Sequence, residues 1–356
     1  MIYIHIPFCA SKCFYCDFYS VASRGGMDDV LAAMVREIEH RRHFLNDRPS
    51  ETLYFGGGTP SILSIDQFSL IVDALRSNFD LTHIAEFTVE ANPEHLNLEY
   101  LEAIRSLGVN RLSIGIQSFV DSHLAQMNRH HTSLEAQQAV RDAQQAGFDN
   151  ISIDLIYGLP SMSESQWATN IETAIGLDVQ HISAYHLSIE EKTVFGRRGM
   201  KPIDECRSVL QYNMLCDALR EAGFDHYEIS NFAQPTRHSR HNSGYWRGVP
   251  YLGIGPAAHS FDGVDHRSWN VSSNKLYAAG AAAEGETLTA EDTHNEYLMI
   301  HLRTKQGVDL AEYNRLFGRN FTDLSPRAPI AVDATHAWIP EREWLIADAL
   351  IAPLFV

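Results

Sequence analysis

The chain has 356 residues, 45% hydrophobic and 21% charged, which suits one large domain with an appendage or two modest domains. Its formal charge of −17 leaves no domain-wide basic surface, so nucleic acid is not expected as a partner. It enters a strand pattern directly after Met1, lacks any apolar run long enough to span a bilayer, and bunches three of its five cysteines within eight residues. These features predict a cytoplasmic chain with no transmembrane segment and no disulfide framework.

Short apolar runs predict strands at Ile2–Ile6, Thr52–Phe55, Glu86–Glu90, Arg111–Gln117, Asn150–Ile156 and His181–Leu187. Amphipathic patterns between them predict helices near Val30–His43, Ile65–Phe79, Leu98–Leu107, Leu134–Ala146 and Glu164–Leu177. Ser64 with Gln67, and Ser163 with Gln166, read as capping boxes, and Gly108 and Gly147 as left-handed helix ends. Six strand–helix alternations indicate parallel βα units in an α/β fold, a full or partial barrel.

After Leu187 the alternation stops. A helix is expected at Ser208–Ala222, and residues 226–269 are rich in His, aromatics and Gly. Residues 1–271 are therefore read as the barrel and its following segment, 272–289 as a small, polar, alanine-containing linker, and 290–356 as a C-terminal helical, winged-helix-like domain. Helices are expected there around Tyr297–Leu302 and Leu310–Phe317, and acidic residues outnumber basic ones, which argues against DNA binding. The proline-containing stretch Asp323–Trp344 has no periodicity and yields no element.

The cysteine run follows the first strand as Cys9-Ala10-Ser11-Lys12-Cys13-Phe14-Tyr15-Cys16. Three thiolates at this spacing can hold three irons of a [4Fe–4S] cube and leave the fourth without a protein ligand, whereas electron-transfer clusters usually have four cysteines. Phe8, Phe14, Tyr15, Phe18 and Tyr19 flank the thiols and would keep water away. The alternative is a zinc site completed by His5, although no second CxxC pair accompanies it. Cys206 and Cys216 read as ordinary core cysteines.

Gly56-Gly57-Gly58-Thr59-Pro60 ends the second strand, and its glycines would let backbone approach a ligand. Glu90, Gln117, Asp154 and His186 fall at the same strand ends, the rim where ligands bind in βα barrels. His40, His43, His83, His95, His123, His130 and His131 read as surface residues, and His5 and His186 as packed in strands.

Together these segments resemble the radical S-adenosylmethionine superfamily, and within it the group of HemW-type haem chaperones and oxygen-independent coproporphyrinogen III oxidases. The resemblance rests on Tyr3–Cys9, the cysteine run, Gly56–Pro60, Val89–Pro93, Gly115–Ser118, Met127–Arg129 and Ile153–Pro160. It implies a partial (β/α)6 TIM-type barrel with Cys9, Cys13 and Cys16 as ligands of a [4Fe–4S] cluster. The open iron would chelate S-adenosyl-L-methionine, and an electron from the cluster would cleave it. Tyr3, Gly57, Gly58, Thr59, Glu90, Gln117, Arg129 and Asp154 would contact that cofactor.

The oxidase pattern places a fourth cysteine where this chain has Phe18, and a segment before the first strand that is missing here. Both differences resemble the HemW type. So does His241-Asn242-Ser243-Gly244-Tyr245-Trp246, whose HNxxYW pattern is associated with haem binding in that family. The resemblance implies His241 as haem ligand, with His238 less favoured and His259 a further lining residue, and Asn242, Tyr245 and Trp246 beside the macrocycle. Arg237 or Arg240 would pair with propionates. The expected function is a haem chaperone that carries haem as bound cargo to recipient haem proteins, including respiratory ones at the membrane, with peripheral membrane contact. The alternatives are a radical enzyme of porphyrin biosynthesis, acting on a tetrapyrrole, and a structural zinc protein.

Overall fold

The computed structural model describes residues 1–46, 48–324 and 329–356. Six parallel strands carry the architecture: β1 (Ile2–Ile6), β2 (Thr52–Gly57), β3 (Glu86–Ala91), β4 (Arg111–Gln117), β5 (Ile151–Tyr157) and β6 (His181–His186). Helices α1 (Met27–His40), α2 (Ile65–Asn78), α3 (Leu98–Ser106), α4 (Asp121–Gln126), α5 (Ser133–Gln145) and α6 (Glu164–Gly176) connect them. Both expected capping boxes form, and a third joins Thr132 to Glu135 at the start of α5.

Period-2 alternation explains why the interior can hold a site. One face of each strand, such as Ile2, Ile4 and Ile6 or Leu112, Ile114 and Ile116, is wholly buried in the apolar core. The other face is polar. It brings Tyr3 level with Tyr54, Tyr54 with Thr88, and Thr88 with Arg111 in successive strand pairs, and Glu90 level with Ser113 in the last of them.

The chain continues through α7 (Val194–Arg197), α8 (Glu205–Glu221), β7 (Asp225–Glu228), β8 (Asn231–Ala233), α9 (Arg240–Trp246) and β9 (Leu252–Ile254). The nine-stranded sheet runs β7-β8-β6-β5-β4-β3-β2-β1-β9, with β7 and β9 at its ends. It is a partial barrel: β9 joins β1 in parallel, while β8 joins β6 antiparallel. Helix α9 covers the starts of the central strands, where the Glu86 carboxylate accepts from the backbone N–H groups of Arg240 and His241 at 2.9 Å each.

A three-stranded sheet follows, β10 (His259–Phe261), β11 (His266–Trp269) and β12 (Glu284–Thr287), with α10 (Asn274–Ala278) between the last two. The stretch 272–289 is therefore structured, because β12 pairs with β11 and α10 packs on α1. Its small and exposed residues carry no alternation that would reveal this.

The C-terminal part contains α11 (Ala290–His301), β13 (Val308–Asp309), α12 (Leu310–Phe317), β14 (Ala331–Val332), β15 (His336–Trp338) and α13 (Ala347–Ile351). Its own core gathers Leu298, Tyr313, Phe321 and Trp344. The strands β13-β15-β14 are two or three residues long, too short for a sequence period. Of the aperiodic stretch, residues 325–328 lie outside the described residues. No helix of the described residues is long and apolar enough to cross a membrane.

Two surface expectations and one core expectation fail. His123 and His131 are buried, the latter because its ring bridges the Ile116 carbonyl at 3.1 Å and the Glu94 carboxylate at 3.2 Å. Cys206, expected in the core, is exposed in the first turn of α8, whereas Cys216 is buried.

Candidate functional site

The C-terminal ends of the strands and the cysteine loop enclose a cavity of about 610 Å³. The loop leaves β1 and is held at its base by paired backbone bonds, Cys9 N–H to the Val21 carbonyl and Val21 N–H to the Pro7 carbonyl, both 3.0 Å. Phe14 N–H reaches the Met127 carbonyl at 3.1 Å, which ties the loop across the barrel mouth to the end of α4. Cys9, Cys13 and Cys16 all face the cavity and are half-buried.

Two donors point at the sulfurs. Thr59 Oγ1 lies 3.4 Å from Cys9 Sγ, and Arg129 Nη1 lies 3.4 Å from Cys13 Sγ. A hydroxyl and a guanidinium aimed at sulfur are the kind of outer partners that orient metal-bound sulfurs. Burial, with the neighbouring Cys13 and Cys9 sulfurs, pushes the Cys16 thiol up. Three sulfurs with no fourth cysteine beside them fit a cube with one unoccupied protein position.

The glycine turn is fixed to this loop: Gly58 N–H donates to the Ile6 carbonyl and Thr59 N–H to the Phe8 carbonyl, both at 2.8 Å. A Cβ on Gly58 would meet those carbonyl oxygens at 2.7 and 2.6 Å, and one on Gly57, at φ +103°, would strike the His5 ring at 2.6 Å. These glycines serve first to let the second strand's turn pack on the cysteine loop. They line the cavity as well.

Two carboxylates stand on the floor. Glu90 accepts from the Tyr54 hydroxyl at 2.8 Å and the Gly57 N–H at 3.2 Å, and Asp154 accepts from Ser113 Oγ at 3.2 Å. Burial pushes Glu90 up to about 7 and Asp154 up to about 6, so both lose their protons close to neutrality in the empty cavity. Gln117 reaches the cavity from a β-bulge in which its own φ is +71°. That strained conformation re-aims its side chain and has no sequence signature. Arg129 donates to the Gly115 carbonyl and, at 2.8 Å, to Asn92 Oδ1.

Tyr3 is set apart from its expected partners. Its hydroxyl bonds His5 Nδ1 at 3.1 Å and its ring packs on Tyr54, and it does not line the cavity. His5 gives its other nitrogen to the Tyr19 carbonyl at 3.0 Å, so neither ring nitrogen is turned to the cysteines as a zinc site would need. Sequence reasoning missed Asn92, Ser113 and Tyr185, all of which line the cavity. Asn92 and Ser113 were findable: one lies in the quoted Val89–Pro93 segment and the other on the polar face of β4.

The haem motif lies elsewhere. His241 is buried at the opposite end of the barrel, with Nδ1 2.8 Å from Thr52 Oγ1 and Nε2 3.1 Å from the Tyr245 hydroxyl. Its ring stacks on Tyr54, and burial pushes its pKa down to about 3, which keeps it neutral. In this conformation neither nitrogen is open to iron, so ligation requires the ring to leave both bonds. Asn242, Tyr245 and Trp246 are half-buried on α9. His238 is held by Asp225 at 2.9 Å, and His259 is exposed and stacked on Trp269.

A family model of the radical SAM superfamily matches residues 3–174. Over 99% of this chain and 94% of its own length, the heme chaperone HemW of Mycobacterium tuberculosis is 38% identical. The corresponding proteins of Bacillus subtilis and Escherichia coli are 35% and 33% identical over 91% and 88% of this chain, and 88% and 84% of theirs. The coproporphyrinogen III oxidase HemN of Escherichia coli has the same fold, with a TM-score of 0.86 over 100% of this chain and 89% of that one, at 23% identity. Cysteine loop, polar barrel floor and full-length kinship agree: the chain belongs to the HemW family of the radical SAM superfamily.

Proposed function

We propose that this chain is a haem chaperone that binds haem and passes it to recipient haem proteins, while carrying a [4Fe–4S] cluster and S-adenosyl-L-methionine. Cys9, Cys13 and Cys16 would hold the cluster. When bound, the pair supplies a low-potential electron next to a sulfonium. The chain's own residues do the holding. Arg129 offers a cation to a carboxylate, Glu90 and Asp154 accept from an amine or hydroxyls, and Gln117 lines the same cavity.

The observation that carries the reading is full-length kinship to proteins named heme chaperone, combined with Phe18 in place of a fourth cysteine. Phe18 is 71% exposed at the cavity mouth, an apolar contact facing outward where an oxidase-type chain would carry a sulfur. The cytoplasm is the proposed location, with membrane contact made through recipients rather than through a span.

Anaerobic reconstitution followed by a haem titration, and then by transfer to an apo-haem protein, tests the proposal. Stoichiometric binding with net transfer is expected. Conversion of coproporphyrinogen III to protoporphyrinogen under the same conditions would replace the chaperone with an oxidase.

A further inference from the structure

Away from the barrel mouth, α8, β7 and the turn at residues 341–346 bring three different ligand types together. Cys216 Sγ lies 3.9 Å from His226 Nδ1, which lies 2.9 Å from Glu341 Oε1, and all three atoms fall within 4.8 Å of one another. Tetrahedral zinc, with bonds of about 2.0–2.3 Å, sets its ligand atoms about 3.3–3.8 Å apart. The observed separations bracket that range, so small side-chain shifts close the site.

The histidine is aimed before any metal arrives. Its ring is stacked on Phe232 with centroids 3.9 Å apart and blocked edge-on by Trp344 at 4.5 Å, which fixes the direction of Nδ1. Cys216 and His226 are each only 6% exposed, while the Glu341 side chain is 36% exposed and opens the way in. The buried Tyr212 hydroxyl lies beside the same thiol, and neither it nor His226 Nε2 has any other hydrogen-bond partner among the described residues. Arg220 meets Glu341 Oε1 at 2.9 Å from the outside, the position of a second partner that orients a metal-bound carboxylate.

We propose that Cys216, His226 and Glu341 bind one zinc ion, with a water in the fourth position. Charge balances: a thiolate and a carboxylate neutralise the dication around a neutral imidazole. Binding displaces the Cys216 proton to solvent, a step the ion must drive because burial otherwise pushes that thiol up to about 12. The ion would staple the barrel edge to the C-terminal core, since Glu341 and Trp344 belong to that part and Cys216 and His226 to the barrel.

The test uses holoprotein whose cluster has been reconstituted, so that Cys9, Cys13 and Cys16 are occupied, stripped with a mild chelator and titrated with Co2+. One equivalent is expected, giving thiolate-to-cobalt charge-transfer absorption that added Zn2+ abolishes. Cys216→Ser should remove the absorption. Glu341→Gln, at a half-exposed position, should weaken cobalt binding at least about tenfold. Fully clustered protein that develops no such absorption, or absorption that survives Cys216→Ser, overturns the proposal. Undiminished affinity in Glu341→Gln does so too.

Discussion

Replacing Glu90 with glutamine should make the cofactor-free protein more stable at high pH and less able to hold its cofactor. The carboxyl is buried and pushed up to about 7, against about 4.5 in an unfolded chain. Each pKa unit is worth about 1.4 kcal/mol, so keeping this group ionised in the fold costs about 3 kcal/mol. The sign follows from proton counts. Between about pH 4.5 and 7 the folded protein binds the proton more tightly than the unfolded chain, so this group's contribution to stability declines as pH rises through that window. Glutamine is neutral throughout and still accepts from the Tyr54 hydroxyl or the Gly57 N–H. Glu90→Gln should therefore gain up to about 3 kcal/mol at pH 8, and nothing below about pH 4.5. Urea melts of the cluster-loaded protein at pH 5 and 8 measure this, with a cofactor titration beside them that should show at least about a tenfold loss of affinity. A variant no more stable than the parent at pH 8, or a difference independent of pH, would refute the assignment of Glu90 as a strained, ligand-facing carboxyl.

His241→Ala removes two hydrogen bonds and strands Thr52 Oγ1 and the Tyr245 hydroxyl, so a loss of about 2–4 kcal/mol is expected in denaturant melts. Haem affinity should fall while cluster content stays constant, and an unchanged haem titration in the folded variant would remove His241 as ligand. Gly58→Ala should prevent cluster loading, because its Cβ would press on the Phe8 and Ile6 carbonyls and lift the turn from the cysteine loop. Full iron content in that variant would contradict the packing argument. Cofactor affinity should rise between pH 5.5 and 8 (about the span in which Asp154 and then Glu90 lose their protons) and fall in acid, as isothermal titration can show.

The parallel strands were legible because each buries one apolar face and shows a polar one; Arg111–Gln117 was bounded correctly to the residue. The cysteine run, the glycine turn, Glu90, Asp154 and Arg129 converge as expected on one cavity. What stayed hidden depends on tertiary partners. Gln117 gains its aim from a bulge, and Tyr3 loses its expected place to a bond with His5. His131 and His241 are buried because carbonyl, carboxylate and hydroxyl groups distant in sequence receive their rings. Helix α9 is seven residues long; Ser239 caps it locally, but its first two N–H groups go to Glu86, which lies 155 positions before His241. No local pattern encodes such a partner.

The central proposal is that Cys9, Cys13 and Cys16 would hold a cluster whose remaining iron could take the amine and carboxylate of S-adenosyl-L-methionine. Electron–nuclear double resonance on the reduced cluster, with those two groups isotopically labelled, addresses it directly. The account predicts hyperfine coupling from both labels to the cluster; spectra without coupling, and unchanged by adding S-adenosyl-L-methionine, would contradict it.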